Sequence, residues 1–425
     1  MTTTGFDTTD RFRTSMDIAA FVFLVVGVVV TALIFWPWSD DVFVGPRFDA
    51  LRIATAGGGI AAAIWIALER PALRWRLSDT SATLFLVLNV LAYALSVDRQ
   101  TSLLGESMLQ TGLVTVFAFA GAYAIARISV RSLSRLRVLF AAVSASATIA
   151  AAYGVVQIAN IDPIWSDLPL GRVFSSLGQP NWLAAYLVVA IPLTTAWAIA
   201  RTRPLERLAG FGGVILQTAV LFATLSRSGY AGIIAACIVG VAVTLTHGLR
   251  IPGSRKKLIA AAAAFLASAA LVLASLSAVT PDVAPANIAR RVASATDLEG
   301  FESQQYIALW KVGLAIAIDH PFTGTGQGTY AIMFPQYRDT VLDESMARYL
   351  SDFRPESAHN VYLSIAAAAG FAALAAYGIL IVGTFAKHNS TPRGSIAMID
   401  PAQGKNSTAA IFNFEHPNDP THDRG

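Results

Sequence analysis

Charge is scarce in this chain. Only 14% of its 425 residues are Asp, Glu, Lys or Arg, while 55% are hydrophobic, a balance that excludes a water-soluble globular surface. Cysteine is scarcer still. The one thiol, Cys237, lies inside an apolar run, which excludes an internal disulfide framework and a cysteine-based metal site and reads as a small apolar side chain. Of six histidines, His388, His416 and His422 fall in a polar tail and His247 in a basic loop, leaving His320 and His359. No second His or carboxylate stands at metal-ligand spacing from His359, so no metal site is expected. The pI near 9.2 would suit a nucleic-acid binder, but the cations sit in short loops between apolar runs, which is the pattern of membrane orientation.

What the chain has instead is apolar runs of about 18 to 25 residues, each long enough to cross a hydrocarbon core of roughly 30 Å. They predict ten spans: 17–36, 51–68, 81–97, 110–126, 138–158, 181–200, 209–225, 229–246, 258–279 and 360–386. The first follows Arg11 and Arg13, exceeds a signal-peptide apolar core and ends in no A-x-A-like site, so it reads as a retained span. Alternate loops carry fourteen Lys and Arg: Arg70, Arg74 and Arg76; Arg127, Arg131, Arg135 and Arg137; Arg201, Arg203 and Arg207; Arg250, Arg255, Lys256 and Lys257. The opposite short loops carry only Arg47, Arg52, Arg99, Arg172 and Arg227. Both termini are therefore expected in the cytoplasm.

The expected fold is an all-α polytopic membrane protein of about ten transmembrane helices, with one long external loop containing short helices. Residues 1–16 form a cytoplasmic N-terminus, 17–279 the first nine spans, 280–359 the external loop, 360–386 the last span and 387–425 a polar cytoplasmic tail. A loop as long as 280–359 is too large for a connector and is usually functional. Within it Tyr306–Asp319 has apolar residues near helical spacing. The tail, rich in Asn, Pro, Gly and Thr, reads as disordered.

Arg227, in Ser226-Arg227-Ser228-Gly229 between two spans, has no neutralising side chain nearby in sequence. A membrane arginine is costly and implies a task; a planar guanidinium fork suits an anionic, phosphate-bearing ligand. Gly171 to Asn181 leads into the sixth span from outside. It fits an ordinary helix-start turn with proline at the first position, or a site in which Arg172 is a second external cation and Gln179 and Asn181 are hydrogen-bonding groups. Pro321–Gly328 is glycine-rich but lacks the lysine, preceding strand and cytoplasmic location of a nucleotide loop. A tight turn that packs backbone closely fits it better. His359 opens the last span beside Asn360, on the face expected to carry Arg172 and Arg227. A lone histidine is more often structural than catalytic, yet neutral imidazole is suited to taking a proton from a hydroxyl.

Together these segments resemble the O-antigen ligase and polymerase superfamily of bacterial membrane glycosyltransferases. The likeness runs from about Gly171 to Leu374 through R-x-F-S-S-L-G-Q-P-N-x-L-A, L-x-x-T-x-S-R-S-G, W-K-x-G-x-x-x-x-x-x-H-P-F-x-G-x-G-x-G and A-H-N-x-Y-L. The resemblance implies transfer of a glycan from polyprenyl diphosphate to the hydroxyl of a glycan, lipid or protein acceptor, on the outer face of the cytoplasmic membrane. It implies inversion without metal or cofactor, with Arg227 holding the diphosphate and His359 activating the acceptor. The chain departs from the family twice. The stretch Ser303–Leu309 before Trp310 lacks the family's second arginine, and a polar tail stands where further spans usually follow. A substitute cation is then expected from Arg172, Arg338, Arg348 or Arg354. Arg354 is the first choice, five positions before His359 and fixed by Pro355. The competing readings are a transporter of a small or lipid-linked anionic solute and a diverged, non-catalytic family member. Transporters favour internal repeats and midplane sites, and neither is evident here.

Overall fold

The computed structural model describes residues 8–106, 109–165, 171–246, 297, 299–352 and 354–385. Helix is the only regular structure among them. In order they are α1 Thr8–Leu33, α2 Val44–Glu69, α3 Leu77–Ala94, α4 Arg99–Leu104, α5 Leu113–Ser129, α6 Leu133–Ile158, α7 Pro180–Ile199, α8 Pro204–Ala223, α9 Arg227–Thr246, α10 Phe301–Asp319, α11 Tyr330–Val341, α12 Glu344–Tyr349 and α13 Val361–Phe385. Seven of the described helices (α1, α2, α3, α6, α7, α8 and α13) are long and apolar enough to cross a membrane. The expected spans 110–126 and 229–246 are helical as α5 and α9, but α5 and the apolar part of α9, Arg227–Gly240, are shorter. The expected span 258–279, residues 280–296 of the expected loop and the tail from 387 lie outside the described residues. The chain is an all-helical polytopic membrane protein.

Small residues set the close approaches. A Cβ on Gly27 of α1 would meet Ala54 Cβ of α2 at 2.7 Å, and one on Gly57 would meet the Phe23 ring at 2.6 Å, the kind of contact that replaces hydrophobic driving force inside a bilayer. Around α6, α7 and α8 the core is built from Ala147, Ala150, Leu183, Leu187, Val220 and Leu221. Gln217, fully buried, ties the three helices together by donating to Thr148 Oγ1 at 3.0 Å and Thr194 Oγ1 at 3.2 Å.

The two ends of the bundle differ in chemistry. At one end Asp17 of α1 receives Arg135 at 2.6 Å and Arg131 at 2.5 Å, Arg13 meets Glu69 at 2.8 Å, and Asp79 meets Arg127 at 3.2 Å. The other end gathers the C-termini of α6 and α8, the N-termini of α7, α9 and α13, and the helices α10 to α12.

The expected span 360–386 is α13, long and apolar enough to cross a membrane, but it is broken at Gly370, whose φ of 81° and ψ of 172° are not helical. The glycine-rich turn fills the break. Thr325 and Gly326 donate their N–H groups to the carbonyls of Ala367 and Ala368 at 2.9 Å each, and Phe371 donates back to Pro321 at 2.9 Å. Gly326, at φ 110°, would place a Cβ 2.0 Å from Ser96 Oγ, so only glycine lets the backbones approach. Gln327 then anchors the turn to α3 and α4, donating to Asn89 Oδ1 at 2.9 Å and accepting from Ser102 Oγ at 2.9 Å. The close-packing turn expected from the sequence is what forms.

Candidate active site

The segment before α7 is held from three sides. Ser175 donates its hydroxyl to the Ala150 carbonyl of α6 at 2.6 Å, Ser176 to the Ala32 carbonyl of α1 at 2.8 Å, and Gln157 accepts from Ser175 N at 2.7 Å. The Arg47 guanidinium of α2 donates to the Ser176 carbonyl. Gly178, at φ 74°, lies so near the Phe43 ring that a Cβ would meet it at 2.2 Å. This buried anchoring fixes where Arg172 points. Its Nε donates to the Thr224 carbonyl at 3.0 Å and its Nη2 to Asn181 Oδ1 at 3.0 Å. The same Asn181 oxygen accepts from Ser226 Oγ at 2.9 Å, joining Arg172 to the α8–α9 turn that carries Arg227.

Arg227 begins α9 and is not left without an anion. Its Nη2 pairs with Glu302 Oε2 at 3.0 Å, its Nη1 reaches Ser303 Oγ at 3.4 Å, and its buried Nε has no hydrogen-bond partner among the described residues. The expectation of an uncompensated arginine is corrected: the partner lies 75 positions away in sequence, in the first turn of α10.

His359 sits at φ 48° just before α13, its N–H donating to Ser357 Oγ at 3.3 Å. Tyr306 of α10 meets its ring edge-on, centroids 5.8 Å apart. The imidazole is open to solvent at the cavity but has protein packed around the rest of it, and that burial draws its pKa below the ordinary 6.5. Desolvation acts on the charged form, so neutral imidazole is favoured. Asn360 serves as a cap, its Oδ1 accepting from Tyr362 N at 3.0 Å and Leu363 N at 3.3 Å.

A cavity of about 600 Å³ collects these groups: Arg172, Arg354 and His359 border it, together with Glu302, Gln305 and Tyr306. A second, largely apolar cavity of about 680 Å³ runs between α3, α5, α13 and the glycine turn, and His359 borders that one too. Near its mouth Glu356 has its carboxyl pKa raised, first by burial and then by the charge of Glu106.

Other expected site residues lie elsewhere. Gln179 caps α7, its Oε1 accepting from Trp182 N at 3.0 Å, so the helix-start reading holds for it. Arg338 is chelated by its neighbour Asp339 at 2.8 and 3.2 Å, and Arg348, exposed, pairs with Glu344 at 2.7 Å. Neither borders the cavity, and of Arg338, Arg348 and Arg354 the last alone does. Sequence reasoning missed Glu302 and Tyr306. The signal for Glu302 was present: it directly precedes the stretch where the family's cation is absent. Among the described residues, no three His, Cys, Asp or Glu side chains gather to hold a metal ion.

Residues 212–378 match the family model of the O-antigen ligases. The chain carries an O-antigen ligase domain. The match opens within α8, takes in Arg227, Glu302, Arg354 and His359, and closes within α13, so the ligase domain supplies most of the cavity while Arg172 and Asn181 lie before it. No curated protein and no solved structure matches the chain. With its long apolar helices, the chain is a multi-pass membrane protein whose residues 212–378 are similar to the O-antigen ligases.

Proposed function

We propose that the protein transfers a glycan from polyprenyl diphosphate to an acceptor hydroxyl at the outer face of the membrane, by inverting displacement and without a metal. The observation that carries this reading is the single cavity bordered by Arg172, Arg354 and His359, whose Glu302 holds Arg227. In the reaction the acceptor oxygen bonds to the glycosyl anomeric carbon as the bond from that carbon to the diphosphate oxygen breaks. The acceptor proton passes to neutral His359, which its lowered pKa keeps in the basic form. The departing diphosphate gathers negative charge, and fixed guanidinium groups stabilise it without solvent reorganisation. Arg354 and Arg172 take the place of the arginine missing before Trp310.

Purified protein given a polyprenyl-diphosphate-linked glycan and a panel of glycan, lipid and peptide acceptors tests this. Transfer that persists in EDTA is expected, with the anomeric configuration reversed in the product. No transfer to any acceptor, or transfer abolished by EDTA and restored by a divalent cation, contradicts it. Orientation has its own test. An impermeant thiol reagent on intact cells is expected to label Ser345→Cys and spare Ser390→Cys, and the reverse pattern would put the cavity on the wrong side of the membrane.

A further inference from the structure

A half-buried guanidinium at the start of an apolar helix is costly unless an anion accompanies it. Here that anion is the Glu302 carboxylate, 3.0 Å from Arg227 Nη2. The two partners are unequal: the Arg227 side chain is 24% exposed and the Glu302 side chain 50%. The more exposed Glu302 therefore loses less when the pair opens than Arg227, which stays half-buried and needs a replacement. Glu302 also borders the cavity that Arg172, Arg354 and His359 share. A phosphate oxygen that takes Arg227 Nη2 enters a position that a carboxylate oxygen already holds.

We propose that Glu302 is an internal competitor for the donor's phosphates: it neutralises Arg227 between turnovers, must leave the guanidinium when a diphosphate binds, and so sets donor affinity. The inference rests on reading the cavity as the diphosphate site. A diphosphate brings more charge and more acceptor oxygens than one carboxylate, so the exchange runs in its favour. The apparent dissociation constant exceeds the intrinsic one by the reciprocal of the fraction of Arg227 not held by Glu302. For an ion pair this exposed, that factor is about two- to fivefold. Ser303, 3.4 Å from Arg227 Nη1, stays available to the guanidinium in either state.

Calorimetric titration of the purified full-length protein with inorganic pyrophosphate tests this, using wild type, Glu302→Gln, Arg227→Ala and the double variant. Glu302→Gln keeps the size of the side chain and removes its charge. It is expected to bind pyrophosphate about two- to fivefold more tightly than wild type, and to give no tightening when Arg227 is alanine. If Arg227→Ala weakens binding but Glu302→Gln leaves it unchanged or weaker, the competitor role is wrong and the diphosphate reading stands. Equal tightening with and without Arg227 marks a general field effect and also overturns the role. If Arg227→Ala binds as wild type does, or if none of the four proteins binds, the diphosphate reading fails and the inference with it.

Discussion

Arginines stand at both ends of the bundle, but their company differs. At one end Asp17, Glu69 and Asp79 take Arg131, Arg135, Arg13 and Arg127, and aromatic faces add to the hold, with Arg131 over Trp65 at 4.2 Å and Arg135 over Phe21 at 5.1 Å. These guanidinium groups are consumed by carboxylates and rings of neighbouring helices. At the other end Arg172 leans on a carbonyl and an asparagine, Arg227 pairs with the half-exposed Glu302 and keeps a buried Nε without a hydrogen bond among the described residues, and both lie at or beside a cavity that also holds a histidine. Carboxylates meet arginines at both ends. The cavity beside Arg172 and Arg227 is what sets the second end apart.

His359→Ala is the largest break that can be made in this contrast. If the imidazole takes the acceptor proton, turnover falls about 10²–10⁴-fold while pyrophosphate affinity stays near wild type. Equal losses in both would make His359 a phosphate ligand or a structural residue.

The loop arginines sharpen the comparison within one end. Arg172→Ala and Arg354→Ala are each expected to weaken donor binding by about tenfold, roughly 1.4 kcal/mol. Arg338→Ala and Arg348→Ala, whose guanidinium groups already face Asp339 and Glu344, are expected to leave it unchanged. Donor titration of the four variants decides, and a uniform loss across all of them would mean that only the overall field matters.

The smallest effect is the pH dependence. Burial holds the His359 pKa below 6.5, so the neutral base survives as pH falls through 6.5 and is lost only below it. The acid limb of the pH–rate profile is expected below 6.5 and absent from His359→Ala. A limb at or above 6.5 would contradict the desolvated environment.

The long helices were legible in the sequence because apolar length is a local signal, but their ends were less so. The expected starts at 181 and 360 fall within one residue of Pro180 and Val361, whereas those at 17 and 51 fall nine and seven residues after Thr8 and Val44. The break in α13 was not legible, since Gly370 in an alanine-rich run looks like any tolerated glycine; it takes the Pro321–Gly328 turn, 42 to 49 positions upstream, to satisfy the carbonyls of Ala367 and Ala368. The Arg227–Glu302 pair was missed for a related reason: Glu302 stands directly before the stretch that lacks the family's cation, but pairing across 75 positions leaves no trace in local spacing. Gln179 and Asn360 each stand immediately before a helix, where side-chain capping is the ordinary role, and each caps. His359 and Arg172 were singled out from their places at the mouths of spans and Arg354 from its nearness to His359, and the fold brings those three to one cavity.

The same conservative replacement at both ends tests the division of labour most directly. Glycan transfer from a polyprenyl-diphosphate donor is measured for Arg227→Lys and Arg135→Lys, each corrected for folded protein. Lysine keeps the charge but not the bidentate fork, so Arg227→Lys should lose about 1.5–3 kcal/mol of donor-dependent transition-state stabilisation, most of the activity, while Arg135→Lys transfers at the wild-type rate. Full activity in Arg227→Lys, or an equal loss in both, would contradict the account.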